Sequence, residues 1–182
     1  QMYYKKMKNL QFISSETLKR VTKKRTGEKK LHEVVQYLTD SNDFLERIAD
    51  PKIEFVIFGI KEDIGVLANH GQPGARDTWD SVIKPLLNIQ SNEHTNASTI
   101  LILGHLDFTD LYETYSLTSS EKSLKTYRKH VELIDQNVNQ LVCSIVKAGK
   151  IPIVIGGGHN NAYGIIKGFA LGLKTKVNAV NF

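Results

Sequence analysis

The residues best suited to chemistry stand at the end of Ile151-Pro-Ile-Val-Ile-Gly-Gly-Gly-His-Asn-Asn-Ala-Tyr-Gly164. A short β-branched run predicts a buried parallel strand, a glycine loop follows, and His159 is delivered just before a helix. Ligands of open α/β sheets gather beyond the carboxyl ends of such strands. Gly156-Gly157-Gly158 lets the backbone turn sharply and come close to a ligand. The loop is not a dinucleotide fingerprint, because Asn161 stands where the last glycine of G-x-G-x-x-G belongs. It also lacks the Gly-Lys-Ser/Thr ending of a P-loop. What remains is an imidazole with Asn160 and Asn161 as neutral hydrogen-bonding neighbours. That set suits a metal ligand or a general base, although on spacing alone a structural histidine is the commoner outcome.

Other strand ends carry candidates too. The stretch from Glu62 to Arg76 follows a predicted strand and is too long for a plain connection, which favours a binding loop. Asp63, Asn69, His70, Gln72 and Arg76 offer polar contacts there, and turn chemistry with solvation accounts for them equally well. In Gly104-His-Leu-Asp-Phe108, His105 reads equally as a ligand or as a satisfied partner of Asp107.

The elements that must position these side chains are legible as strands over residues 53–58, 99–103, 151–155 and 177–182. A glycine-punctuated loop over 59–74 precedes a helix with Trp79, Val82, Ile83 and Leu86 on one face, which Pro85 should end or kink. The clearest helix spans about 119–148, with Thr118 and Glu121 fitting a capping box. Leu124, Tyr127, Val131, Ile134, Val138, Leu141 and Ile145 form its apolar stripe, and Gly149 suits its C-terminal cap. A further helix is expected over about 162–171. Short helical pieces fit residues 15–21 and 31–38, and Ser41 can cap another carrying Phe44, Leu45 and Ile48. Strands separated by helices imply right-handed crossovers and a mainly parallel sheet, an α/β fold.

Charge and composition exclude several functions. The net charge of +5 is concentrated in residues 1–30, which carry +8, whereas the remainder carries −3. Such a basic run reads as a solvated face or arm, and no aromatic interleaving suggests nucleic-acid binding. The single cysteine, Cys143, excludes an intramolecular disulfide and fits a reducing compartment. No apolar stretch suits a membrane span or signal peptide, so a cytoplasmic protein is expected.

Three segments together carry a family resemblance: Phe55-Val-Ile-Phe-Gly-Ile-Lys-Glu-Asp-Ile-Gly-Val66, Asn69-His-Gly-Gln-Pro-Gly-Ala75 and Ile155-Gly-Gly-Gly-His-Asn-Asn-Ala-Tyr-Gly164. In order and spacing they resemble the ureohydrolase superfamily of arginase, agmatinase and formimidoylglutamase, most closely its formimidoylglutamase-like branch. The resemblance implies a three-layer α/β/α sandwich, truncated here, in which residues 53–182 form the N-terminal part of the catalytic domain and residues 1–52 a basic helical segment. It implies two Mn2+ ions in the full-length protein, with a bridging hydroxide attacking an amidine or guanidino substrate. Of the metal ligands, only His159 maps onto this sequence. The aspartate-rich motifs that complete the centre would follow a strand like 177–182, so the site is expected to be incomplete. Asn69, Gln72, Arg76, Asn160 and Asn161 map to the substrate-binding or active-site loops. Asn160 replaces an acidic residue common after the histidine, and Gln72 replaces a common arginine. The implied function is formimidoylglutamate hydrolysis, with arginase or agmatinase as the alternative activity, a non-catalytic relative as the alternative of another class, and a homo-oligomer as the expected assembly.

Overall fold

The computed structural model describes residues 9–94, 96–114 and 121–180. Two parallel strands, β3 (Phe55–Lys61) and β4 (Ile100–Asp107), form the centre of the sheet, and β5 (Ile151–Ile155) adds in parallel to the other edge of β3. Two short strands share the outer edge of β4: β1 (Leu10–Gln11) runs antiparallel at its end, and β2 (Gln36–Tyr37) parallel near its start. The N-terminal segment thus completes the sheet. Its helical part is α1 (Ser15–Val21), capped by Ser14, whose side chain accepts from the Thr17 amide.

Helices cover both faces, which makes the sandwich three-layered. Val56, Phe58 and Ile60 of β3 point into the larger core, with Leu101 and Leu103 of β4 and with Ile134, Val138, Leu141 and Ile145 of α5 (Glu121–Lys147). Ile57 and Ile102 point the other way, toward Trp79, Ile83 and Leu87 of α4 (Thr78–Asn88) and toward Ile13, Leu31 and Val35. The alternation of faces along β3 is what a strand buried on both sides requires.

Several elements run differently from their sequence patterns. β3 begins and ends later than 53–58, and the loop after it holds a short helix, α3 (Ile64–Ala68). β4 continues through Gly104, His105 and Asp107, so these residues lie within the strand rather than beyond it. The ladder with β3 and the antiparallel addition of β1 hold that extension. Residues 31–38 give one helical turn, Leu31–Glu33, and then β2, because Gln36 and Tyr37 find ladder partners on β4. A 3-10 turn over Ser41–Asp43 leads into α2 (Phe44–Ala49), whose N-cap is Asp43 rather than Ser41. Pro85 does not end α4, which runs on to Asn88. Thr118 of the expected capping box lies outside the described residues. Residues 176–180 form no strand: they have no ladder partner among the described residues, and Val180 is exposed; Asn181 and Phe182 lie outside the described residues.

The last helix, α6 (Asn161–Leu173), packs along α5 through Gly164, Gly168 and Gly172. A Cβ on Gly168 would stand 2.6 Å from the Val142 Cβ, and one on Gly172 2.7 Å from that of Val146. The glycines therefore set how closely the two helices approach. Gly168→Ala is expected to force them apart and lower stability by about 1–3 kcal/mol, read as a shifted midpoint in urea denaturation. An unchanged midpoint would show that this contact yields without cost.

Candidate functional site

The site is built where the segments after β3, β4 and β5 meet. Gly59 of β3 pairs with Ile155, the last residue of β5, so β3 runs on past its neighbour. The chain leaving β5 turns back across that extension. Gly156 and Gly157 make the turn at φ +83° and +80°, in the left-handed region that favours glycine. The Gly157 amide then donates to the Ala75 carbonyl at 3.4 Å, and the Gly158 amide to the Glu62 carbonyl at 3.1 Å.

Glu62, one residue past β3, is the centre of the arrangement. Its side chain is fully buried. Oε1 accepts from the Gly158 amide at 3.2 Å, from Asn160 Nδ2 at 3.2 Å and from Asn161 Nδ2. Oε2 accepts from the amides of Ile64, at 2.8 Å, and Gly65, at 3.4 Å, which open α3. Such a group survives burial only because N–H donors surround it.

Asp63, also buried, ties in the other loops. The Tyr112 hydroxyl, on the turn after β4, accepts from the Asp63 amide at 2.7 Å and donates to Asp63 Oδ1 at 2.6 Å. Oδ2 accepts from the Gly74 amide at 2.6 Å. Burial, followed by the hydrogen bond to Asp63, raises the Tyr112 hydroxyl well above its usual range and keeps it a donor. The Arg76 guanidinium lies 5.0 Å from the centre of the Tyr112 ring, a cation–π distance.

The residues singled out from sequence are distributed unevenly around this centre. Asn160 and Asn161 bind Glu62 directly. Arg76 is exposed but stacks on Tyr112. Asn69 and Gln72 are exposed on the segment after α3, beside His70 at φ 57°. His159 is exposed in the turn before α6, and its carbonyl accepts from the Ala162 amide. His105 stands apart from this cluster of bonds, its ring centre 6.1 Å from that of Trp79. Its Nε2 is 3.9 Å from Asp107 Oδ2, too far for a hydrogen bond, and Asp107 accepts instead from the Thr109 amide at 2.7 Å. Burial, then Lys61, lowers the His105 pKa. Glu62 and Tyr112 are the residues that sequence reasoning passed over. An acidic residue directly after a strand is a weak signal for the first, and no local pattern marks the second.

The sequence model of the arginase family matches residues 53–182. The chain belongs to the arginase family. Within it, a formimidoylglutamase of Geobacillus sp. (strain WCH70) is 33% identical over 129 residues, which cover 70% of this chain and 34% of that relative. The match therefore spans about a third of the curated relative's length. The observed three-layer sandwich with its mostly parallel sheet agrees with this membership. No helix among the described residues is long and apolar enough to cross a membrane.

The metal pair implied by the family resemblance can be tested against these donors. Among the described residues no group of three His, Cys, Asp or Glu side chains comes together. Both Glu62 oxygens are already engaged by N–H donors. Two hard ions need several carboxylates, so the described residues of this family member do not fit such a centre.

Asp135 of α5 carries the consequence of a buried acid nearby. Burial first, and then the Glu62 charge, raises its pKa from 3.8 to about 6, with Lys167 opposing. The folded chain therefore binds this proton more tightly than the unfolded chain. That contribution to stability is fully present below about pH 4 and is lost as pH rises through about 6. Asp135→Asn is expected to flatten this fall and to raise the melting temperature at neutral pH. Thermal melts across the range check it, and an unaltered pH profile in the variant would refute the assignment.

Proposed function

We propose that this chain is the N-terminal part of a formimidoylglutamase-like hydrolase of linear amidines. The observation that carries the reading is the convergence of the segment after β3 on the glycine loop of β5 through Glu62, with His159 exposed beside it. The named relative supports the choice of branch, at 33% identity. In the proposed reaction, water adds to the formimino carbon of formimidoylglutamate and the C–N bond to the amino acid breaks. The proton passes to the leaving nitrogen, giving formamide and glutamate.

In this proposal His159 is a ligand for one of two manganese ions bound by the complete protein. Asn69, Gln72, Arg76, Asn160 and Asn161 line or shape the substrate's approach. Residues 53–182 form the N-terminal part of the family's α/β domain, preceded by residues 1–52 as a basic N-terminal segment. The whole protein is proposed to act in the cytoplasm as a homo-oligomer.

The 182-residue chain alone is expected to show negligible hydrolase activity and weak manganese binding. Tight, stoichiometric binding of two manganese ions in a calorimetric titration would overturn this. In the complete protein, formimidoylglutamate should be hydrolysed in preference to arginine or agmatine, and His159→Ala should lose one metal. Retention of both ions in that variant would remove His159 from the ligand set, and a preference for a guanidino substrate would move the protein to another branch.

Assembly has its own test. Ile151 and Ile153 are exposed on β5, as are Tyr163, Ile166 and Leu173 on α6. Among the described residues β5 has β3 as its one neighbour, and apolar groups gathered along such an edge favour association. Light scattering of the chain should show concentration-dependent self-association, and a monomer at high concentration would contradict it.

A further inference from the structure

We propose that Glu62 is a positioning residue that locks the His159 loop to the loop after β3, acting through the groups it binds rather than by touching substrate. One oxygen of its carboxyl group serves the loop after β5, accepting from Gly158, Asn160 and Asn161. The other serves the start of α3, accepting from Ile64 and Gly65. Donors at residues 158–161 and 64–65 are distant in sequence, and no other side chain among the described residues binds both groups.

The packing around the group shows that the lock is closed on both sides. A Cβ on Gly65 or on Gly158 would overlap the Asn160 amide, so that side chain lies between the two loops in a slot lined by hydrogen. A Cβ on Gly157 would meet Asn161 Nδ2 at 2.5 Å. Glu62 also fixes the orientation of both amides. Each turns its Nδ2 toward the carboxyl oxygen, and each Oδ1 is buried with no partner among the described residues. The same unit holds the segment carrying Gln72 and Arg76, because Gly74 binds Asp63 and Gly157 binds the Ala75 carbonyl. A shift at Glu62 therefore moves His159 and that segment relative to one another.

The functional weight of this lock rests on the amidine-hydrolase reading, whereas its test needs no activity, so the two can fail separately. The test is amide hydrogen exchange by NMR on the 182-residue chain. Glu62→Gln replaces an acceptor oxygen with a donor facing other donors. The Gly158 amide is shared with the Glu62 carbonyl, so exchange there should accelerate through more frequent opening of the loop, by about threefold or more relative to the amides of β4. Adding Asn161→Asp swaps amide and carboxyl across one bond and should restore much of the protection. Asn161→Ala, which leaves α3 bound to Glu62, should loosen Gly158 but not Ile64, and it carries the test if Glu62→Gln does not fold. Unchanged protection at Gly158 would overturn the proposal. So would an equal acceleration throughout β4, which would make Glu62 a general stabiliser with no particular hold on the loop.

Discussion

The arrangement depends on a buried carboxyl group at the end of β3. Glu62 has no exposure to water, and its burial is tolerated because N–H donors converge on it from two loops. Some of those donors are backbone amides at the start of α3, which would lack partners at a helix N-terminus in any case. Others come from a loop almost a hundred residues away in sequence. The same contact therefore satisfies a helix start, orients two asparagine amides and brings the exposed histidine to a definite place.

The sheet and its covering helices make that contact possible. β3 runs past the end of β5, so Glu62 meets the glycine loop side-on. α6, which begins at Asn161, lies close against α5 because its facing positions are glycine. Asp135 of α5 also feels the Glu62 charge, and that repulsion, added to burial, keeps the Asp135 proton bound to higher pH.

Membership of the arginase family rests on residues 53–182, while among the described residues no group of three His, Cys, Asp or Glu side chains could hold a metal ion. What the described residues do form is a scaffold. Glu62 accepts from backbone amides and from Asn160 and Asn161, and Asp63 and Tyr112 bind each other, so none of the three carries an unengaged group outward. Groups so engaged hold geometry.

Local patterns in the sequence determined the elements whose signals are themselves local. The apolar stripe of α5 is legible from its spacing, as are the capping glycine at 149, the β-branched run of β5 and the glycine turn before His159. The family motifs were legible for the same reason, being contiguous. Tertiary structure alone decided where strands end, because a strand's length is set by its partners: β4 extends through His105 since β3 and β1 pair with it, and residues 176–180 form none without a partner among the described residues. It also decided that Glu62 rather than an exposed polar residue organises the site. Whether an acidic side chain is solvated or buried among donors depends on groups brought from elsewhere in the chain, and no spacing within Lys-Glu-Asp-Ile-Gly records them.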